Sequence, residues 1–251
     1  MRGKMLLEDR TCLVTGGSRG IGRGIAEELG EHGANVVINY RSSEDEAYAA
    51  RDVIDDGPGD AVVAQADVSD FDEVQAMYEA VSNEFGSIDV LVNNAGITMD
   101  TKFSEMSREQ WERVVDVNLG GVFNCTKVCY EDLREAEEGR LINISSVVGQ
   151  QGNYGQANYA TTKSGLFGFT RTIALEMARA GSTANCVAPG FVETDMLADV
   201  PERVRENILE RIPLDRFAEV EDITGMVRFL ASHESSYMTG QVLGINGGME
   251  W

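Results

Sequence analysis

This chain is short of positive charge. Its 251 residues hold 42 acids against 21 bases, for a formal net charge of −21, and only Lys4, Lys102, Lys127 and Lys163 are lysines. So negative a field repels phosphate polymers and anionic headgroups, and neither nucleic acid nor membrane is expected as a partner. The acids are scattered among periodic apolar segments, which argues against disorder. Dense acid with scarce lysine instead suggests a halophilic protein, kept soluble in concentrated salt where repulsion is screened. Paired cysteines are missing as well. Cys12, Cys125, Cys129 and Cys186 form no CxxC and each sits in an apolar run. They read as small buried hydrophobes in a reducing compartment, not as a disulfide or zinc framework. No apolar span reaches 18 residues, and "MRGKMLLEDRTCLVTGG" carries too short an apolar stretch for a signal peptide. A soluble, cytoplasmic protein is expected, in which the sequons at Asn124 and Asn143 are chance matches. Only two histidines occur, His32 and His233, far apart in the chain. Neither a metal site nor a Ser-His-Asp centre is expected.

What is present is a regular alternation. "TCLVTG", "NVVINY", "AVVAQAD", "IDVLVNN", "RLINISS", "TANCVAPG" and "QVLGING" read as buried strands, separated by segments with apolar residues at helical spacing. The fold class is α/β, a Rossmann-like doubly wound seven-stranded parallel sheet with helices on both faces, forming one domain over 1–251. Residues 191–215 break the rhythm, with only the short helical pattern "PERVRENILERI". A connection this long after a strand's C-terminal end reads as a lid over a site.

"TGGSRGIG" (15–22) follows the first strand and opens a helix, with glycines at 16, 20 and 22. Glycine permits a tight turn and close backbone approach, and the helix N-terminus offers free N–H groups to a pyrophosphate. Gly16, Ser18, Arg19, Gly20, Ile21 and Gly22 are therefore candidate cofactor contacts. The second strand ends in Asn39-Tyr40-Arg41, without the carboxylate that an NAD site usually places there. Tyr40 and Arg41 lie at the ribose end. Arg41, with Arg19 as a second guanidinium, suits a 2′-phosphate, so the expected cofactor is NADP(H). After the third strand Asp67 and Val68 border the adenine, unless Asp67 caps the next helix.

Tyr159 and Lys163, four apart on a helix, share a face, and Ser146 ends a strand thirteen residues before the tyrosine. A neighbouring ammonium lowers a phenol's pKa and makes it a usable acid–base group, while a serine hydroxyl can hold a carbonyl. With a nicotinamide opposite, these parts suffice for reversible hydride transfer. The alternative is an amphipathic helix with an incidental Tyr and Lys.

With "NNAG" (93–96), "VNLGG", "NISS", "YATTK", "APGFVETDM" (188–196) and "INGG" (245–248) added in order, the chain resembles the short-chain dehydrogenase/reductase family along essentially its whole length. The resemblance implies that Tyr159 is the general acid/base and that Lys163 lowers its pKa and holds the nicotinamide ribose. Ser146 would orient the carbonyl, and Asn118 would hold a water relaying protons from Lys163. It further implies cofactor contacts at Asn93, Asn94, Ala95, Gly96, Pro189, Gly190, Val192 and Thr194. Two segments, "GQQGNYGQANY" and "APGFVETDM", are similar to the family's 3-oxoacyl thioester reductases. Gln151, Tyr154, Gln156 and Phe191 would then flank a short acyl group, with Ser146 and Tyr159 at the carbonyl. The expected reaction is NADPH-dependent reduction of acetoacetyl-CoA to 3-hydroxybutyryl-CoA, as in polyhydroxyalkanoate synthesis. Alternatives are a 3-oxoacyl-carrier-protein reductase, another alcohol or sugar dehydrogenase, or a non-catalytic NADP-binding regulator. The family likeness also implies a homotetramer packed through helices 107–136 and 157–181.

Overall fold

Seven β-branched runs become seven strands. They are β1 Thr11–Val14, β2 Asn35–Tyr40, β3 Asp60–Gln65, β4 Val90–Asn93, β5 Arg140–Ile144, β6 Thr183–Pro189 and β7 Val242–Ile245. All pair in parallel, in the order β3-β2-β1-β4-β5-β6-β7, so the winding reverses between β1 and β4. The five inner strands are buried on both faces and the two edge strands, β3 and β7, only partly. The structure is a computed structural model that describes residues 5–198 and 200–250. Residues 1–4 and 251 of the expected domain, and position 199 of the expected lid, lie outside the described residues.

Strand alternation divides the core in two. Cys12, Val14, Val36 and Ile38 face one layer, with Ile25, Leu29, Ile54, Val227 and Leu230. Those come from α1 (Gly20–Glu31), α2 (Glu44–Asp55) and α10 (Val220–Ala231). Leu13, Val37 and Leu91 face the other layer, with Met77, Cys125, Leu133 and Met177. There the helices are α3 (Phe71–Phe85), α5 (Gly121–Glu135) and α7 (Ala157–Met177). The four cysteines are free and buried, Cys12, Cys125 and Cys129 in these layers and Cys186 in a smaller cluster with Val122 and Leu166.

Three helical segments differ from the sequence reading. Asp70, not Asp67, caps α3, accepting from the amides of Asp72 and Glu73. The segment 107–136 is not one regular helix. α4 (Arg108–Val115) gives way to a π-helical stretch, Asp116–Gly120, before α5 begins. This wider turn carries Asn118, which is fully buried. The expected 157–181 helix ends at Met177 and tightens to a 3₁₀ turn over Ala178–Ala180.

Three short helices remain beyond the strand ends. α6 (Val147–Gln151) follows β5, and the lid region folds as α8 (Asp195–Ala198) and α9 (Glu202–Leu209), with Pro201 just before α9. Within the expected lid Arg205 pairs with Glu193 at 3.0 Å, and Val192 near its start bridges to Ala218. Among the described residues no helix is long and apolar enough to cross a membrane.

Candidate active site

A cleft of about 490 Å³ opens at the C-terminal ends of the strands, at the β1/β4 switch point. Its floor is the glycine turn. Gly16 and Gly20 adopt φ of +62° and +56°, backbone that a side chain would strain. A Cβ on Gly22 would lie 2.2 Å from the Gly16 carbonyl oxygen and 2.4 Å from Asn94 Nδ2, so the first turn of α1 packs directly on the loop. Asn94 Nδ2 donates to the carbonyls of Thr15 and Gly16, and the Thr15 hydroxyl accepts from the amides of Asn94 and Ala95. Thr15 and Asn39, whose Oδ1 accepts the Gly16 amide, shape the loop. Neither was singled out from the sequence, where nothing marks them beyond their places at strand ends.

The turn fits a dinucleotide. Arg19 begins α1 without a capping side-chain bond, and the first turn of α1 holds no acid, so its amides face the cleft uncompensated. Ser18, Arg19, Ile21, Tyr40, Arg41, Asp67, Val68, Ala95, Gly96 and Thr194 all line the same cleft. The Tyr40 phenol is turned to Glu44, donating at 3.2 Å, which leaves Arg41 as the outward side chain at the strand tip. Asn93 does not line the cleft. Strand alternation turns it into the sheet, where it donates to Asn143 and Thr126. Pro189, Gly190 and Val192 lie at the end of β6 but not in the cleft lining. Gly190 is instead in close contact with Asn246 of the "INGG" segment, where a Cβ would meet the Asn246 Cα at 2.9 Å.

At the inner end Tyr159 and Lys163 project from α7 beside Ser146, the residue that starts α6. The Ser146 Oγ accepts from the Val148 amide, and its hydroxyl is near enough to the Tyr159 phenol to favour the ionised form. Ser145 is committed elsewhere, donating to the Lys163 carbonyl at 2.8 Å. The Lys163 ammonium donates to the Ile144 carbonyl at 2.8 Å and lies 5.6 Å from the centre of the Tyr159 ring. Asn118 Oδ1 accepts the Ile97 amide, and its Nδ2 donates to the Ile97 carbonyl and the Thr162 hydroxyl. Its side chain therefore fixes position, and a water relay would have to start from its main chain. A Cβ on Gly96 would sit 3.3 Å from Asn118 Oδ1 and 3.4 Å from Lys163 Nζ, so all three converge.

Burial dominates the electrostatics of the pair. It pushes the Tyr159 phenol up to about 12, partly offset by the Ser146 hydroxyl, and pushes Lys163 down to about 8. The ammonium stands beside the ring, but hydration loss is the larger effect on the phenol.

The proposed acyl contacts are not gathered into the cleft. Tyr154 is 81% exposed, Gln156 donates to Asp100 at 2.8 Å, and Gln151 accepts from Arg211 of the lid at 3.3 Å. Phe191 is half-buried at the lid's start, its carbonyl taken by the Ala218 amide. Gln156 is thus held to the loop carrying Asp100 and Gln151 to the 191–215 segment, and none of the four lines the cleft.

A family profile described as Enoyl-(Acyl carrier protein) reductase matches residues 16–250. A 3-oxoacyl-acyl-carrier-protein reductase FabG of Staphylococcus aureus is 48% identical over 240 residues, covering 96% of this chain and 98% of the relative. The Staphylococcus epidermidis protein of that name is 46% identical over 241 residues, 96% of this chain and 99% of its own. A 3-oxoacyl-acyl-carrier-protein reductase of Synechocystis is 46% identical over 244 residues, 97% of this chain and 98% of its own.

Proposed function

The chain belongs to the short-chain dehydrogenase/reductase family, and from that premise we propose that it reduces the 3-oxo group of an acyl thioester carried on an acyl carrier protein. It is an NADP-dependent oxidoreductase acting on CH–OH groups. The carrier-linked substrate replaces acetoacetyl-CoA as the favoured reading, because the similar proteins carry that activity in their names.

The observation that carries the reaction type is Tyr159 and Lys163 together on the cleft wall, the ammonium 5.6 Å from the ring centre, with the Ser146 hydroxyl beside the phenol. NADPH supplies a hydride when bound, and the glycine turn, Arg19 and Arg41 would hold it. Ser146 and Tyr159 then share the substrate's carbonyl oxygen as hydrogen-bond donors. Tyr159 gives its proton to the developing alkoxide, and a phenol held near 12 is fully protonated and ready to do so at neutral pH. The Lys163 ammonium compensates the phenolate left behind, and Asn118 keeps the Ile97 backbone and Thr162 in place beneath it.

Acetoacetyl-CoA remains the second reading on one observation. The chain's net charge of −21 opposes an acidic carrier, although Arg171 and Arg179 are exposed near α7. Homotetramer assembly and a cytoplasmic setting are part of the same proposal. Phe123 on α5 and Leu175 on α7 are 53% and 79% exposed, on the helices that would meet partner subunits. The test compares NADPH oxidation with acetoacetyl-carrier protein, acetoacetyl-CoA and a sugar ketone. Higher kcat/KM on the carrier form, with a loss of at least about a thousandfold in Tyr159→Phe and retained NADPH binding, is the expected result. A Tyr159→Phe protein with full biological effect would point to the non-catalytic regulator instead.

A further inference from the structure

We propose that Arg113, on α4, sets the preference for the cofactor's 2′-phosphate by taking the hydrogen bond to Asp67 and so leaving Arg41 only a long ion pair to it, with the Arg41 guanidinium available at the cleft. The inference rests on the reading of Arg41 as the 2′-phosphate partner.

Asp67 is the hub. Its Oδ1 accepts both the amide and the hydroxyl of Ser69. Its Oδ2 accepts from Arg113 Nη2 at 3.1 Å, and Arg113 Nη1 donates to the Ser69 hydroxyl at 3.1 Å. The Arg113 guanidinium thus clamps the carboxylate and its turn together. Arg41 Nη1 stands 3.7 Å from that same Oδ2, beyond hydrogen-bond reach, and its side chain is 55% exposed against 38% for Arg113. Two guanidinium groups compete for one oxygen, and the inner one holds it.

The carboxylate is charged throughout the working range. Burial opposes its ionisation, but the Ser69 bonds and Arg113 outweigh that and hold Asp67 at about 2. The Glu73 carboxylate accepts the Asp67 amide at 2.7 Å and adds negative charge to the same corner. Without Arg113, Oδ2 would keep its full charge with Arg41 as the nearest cation. A movement of under about 1 Å would close an Arg41–Asp67 hydrogen bond and draw the guanidinium from the cleft. Arg113 touches no cofactor atom in this scheme; it is a positioning residue acting through Asp67. Motif reading passes over it because it lies on α4, 46 residues from Asp67 in its loop.

The test measures binding of adenosine 2′,5′-bisphosphate and of 5′-AMP by calorimetry, independently of turnover. In Arg113→Ala the Kd of the bisphosphate is expected to rise about tenfold, with 5′-AMP within about twofold. Asp67→Asn/Arg113→Ala, which removes the competing carboxylate, is expected to recover most of that loss. The NADPH-over-NADH ratio of kcat/KM should follow the bisphosphate. Equal weakening of both ligands would mark a merely structural Arg113 and overturn the inference, as would unchanged binding or a failed rescue. A wild-type protein that does not favour the bisphosphate over 5′-AMP would remove the Arg41 reading, and the inference with it. Unchanged discrimination in Arg113→Ala beside a discriminating wild type would remove only the role of Arg113.

Discussion

Tyr159 and Lys163 carry opposite shifts from a single cause. Burial disfavours the charged form of each, so the phenol rises to about 12 and the ammonium falls to about 8. Ketone reduction needs the phenol protonated and the lysine charged. Tyr159 meets its condition across the working range, which leaves Lys163 to shape the profile. We expect kcat/KM for reduction to fall as pH rises through about 8, and a rate flat to pH 9.5 would reject Lys163 as the titrating group. Its effect on stability has the opposite sense. The unfolded lysine keeps its proton to about 10.5 while the folded one loses it near 8, so burying Lys163 costs stability below 8 and the cost is relieved as pH rises through that window. At this scale the sequence was partly legible. Spacing selected Ser146 over Ser145, and Ser145 is bonded to the Lys163 carbonyl. It could not separate Asn93 from Asn94, because which of two neighbours faces the turn depends on the pleat of β4. Nor could it give the direction of the Tyr159 shift, since hydration loss is set by neighbours distant in the chain.

The alternation of elements was legible because a parallel sheet buries both faces, leaving strands as unbroken apolar runs and helices as amphipathic spacers. Departures within an element were not. The π-helical stretch at Asp116–Gly120 has the same apolar periodicity as the helices on either side, and only the bonds from Asn118 to Ile97 mark it. The lowest part of the sheet hides another such feature. Arg140 begins β5 fully buried; its Nε donates to the Ser232 carbonyl, and its Nη2 lies 3.3 Å from Glu138 Oε2. Arg10 approaches the same carboxylate at 3.6 Å. Glu138 thus offsets two guanidinium groups where water is scarce. Replacing it leaves a buried charge poorly compensated, which costs more than the pair itself contributes. Glu138→Gln should lose about 2 kcal/mol in urea unfolding, against under about 0.5 kcal/mol for the exposed neighbour in Glu137→Gln. Equal effects of the two would show that Arg140 tolerates its site alone.

Across the whole molecule the dominant quantity is the net charge of −21. Unscreened, it favours expansion and dissociation, and molar salt shortens the screening length to about 3 Å. We expect the melting temperature and the assembled state to fall together in dilute buffer and recover in molar KCl. Scanning calorimetry with light scattering measures both, and identical curves at the two ionic strengths would reject an adaptation to salt. The same charge bears on the substrate, since an acidic carrier docks against the field while a soluble thioester only has to enter the cleft.

By itself the sequence determined the strand–helix order, the glycine turn and the Tyr159/Lys163/Ser146 set, because each is written in local spacing: period, turn residue, one helix face. Tertiary structure alone decided which charges meet. Arg113 reaches Asp67, Glu138 faces Arg10 and Arg140, and Lys163 spends its proton on Ile144, all between segments that folding brings together. Coulomb and hydration energies depend on distance and burial in space, and spacing along the chain carries neither.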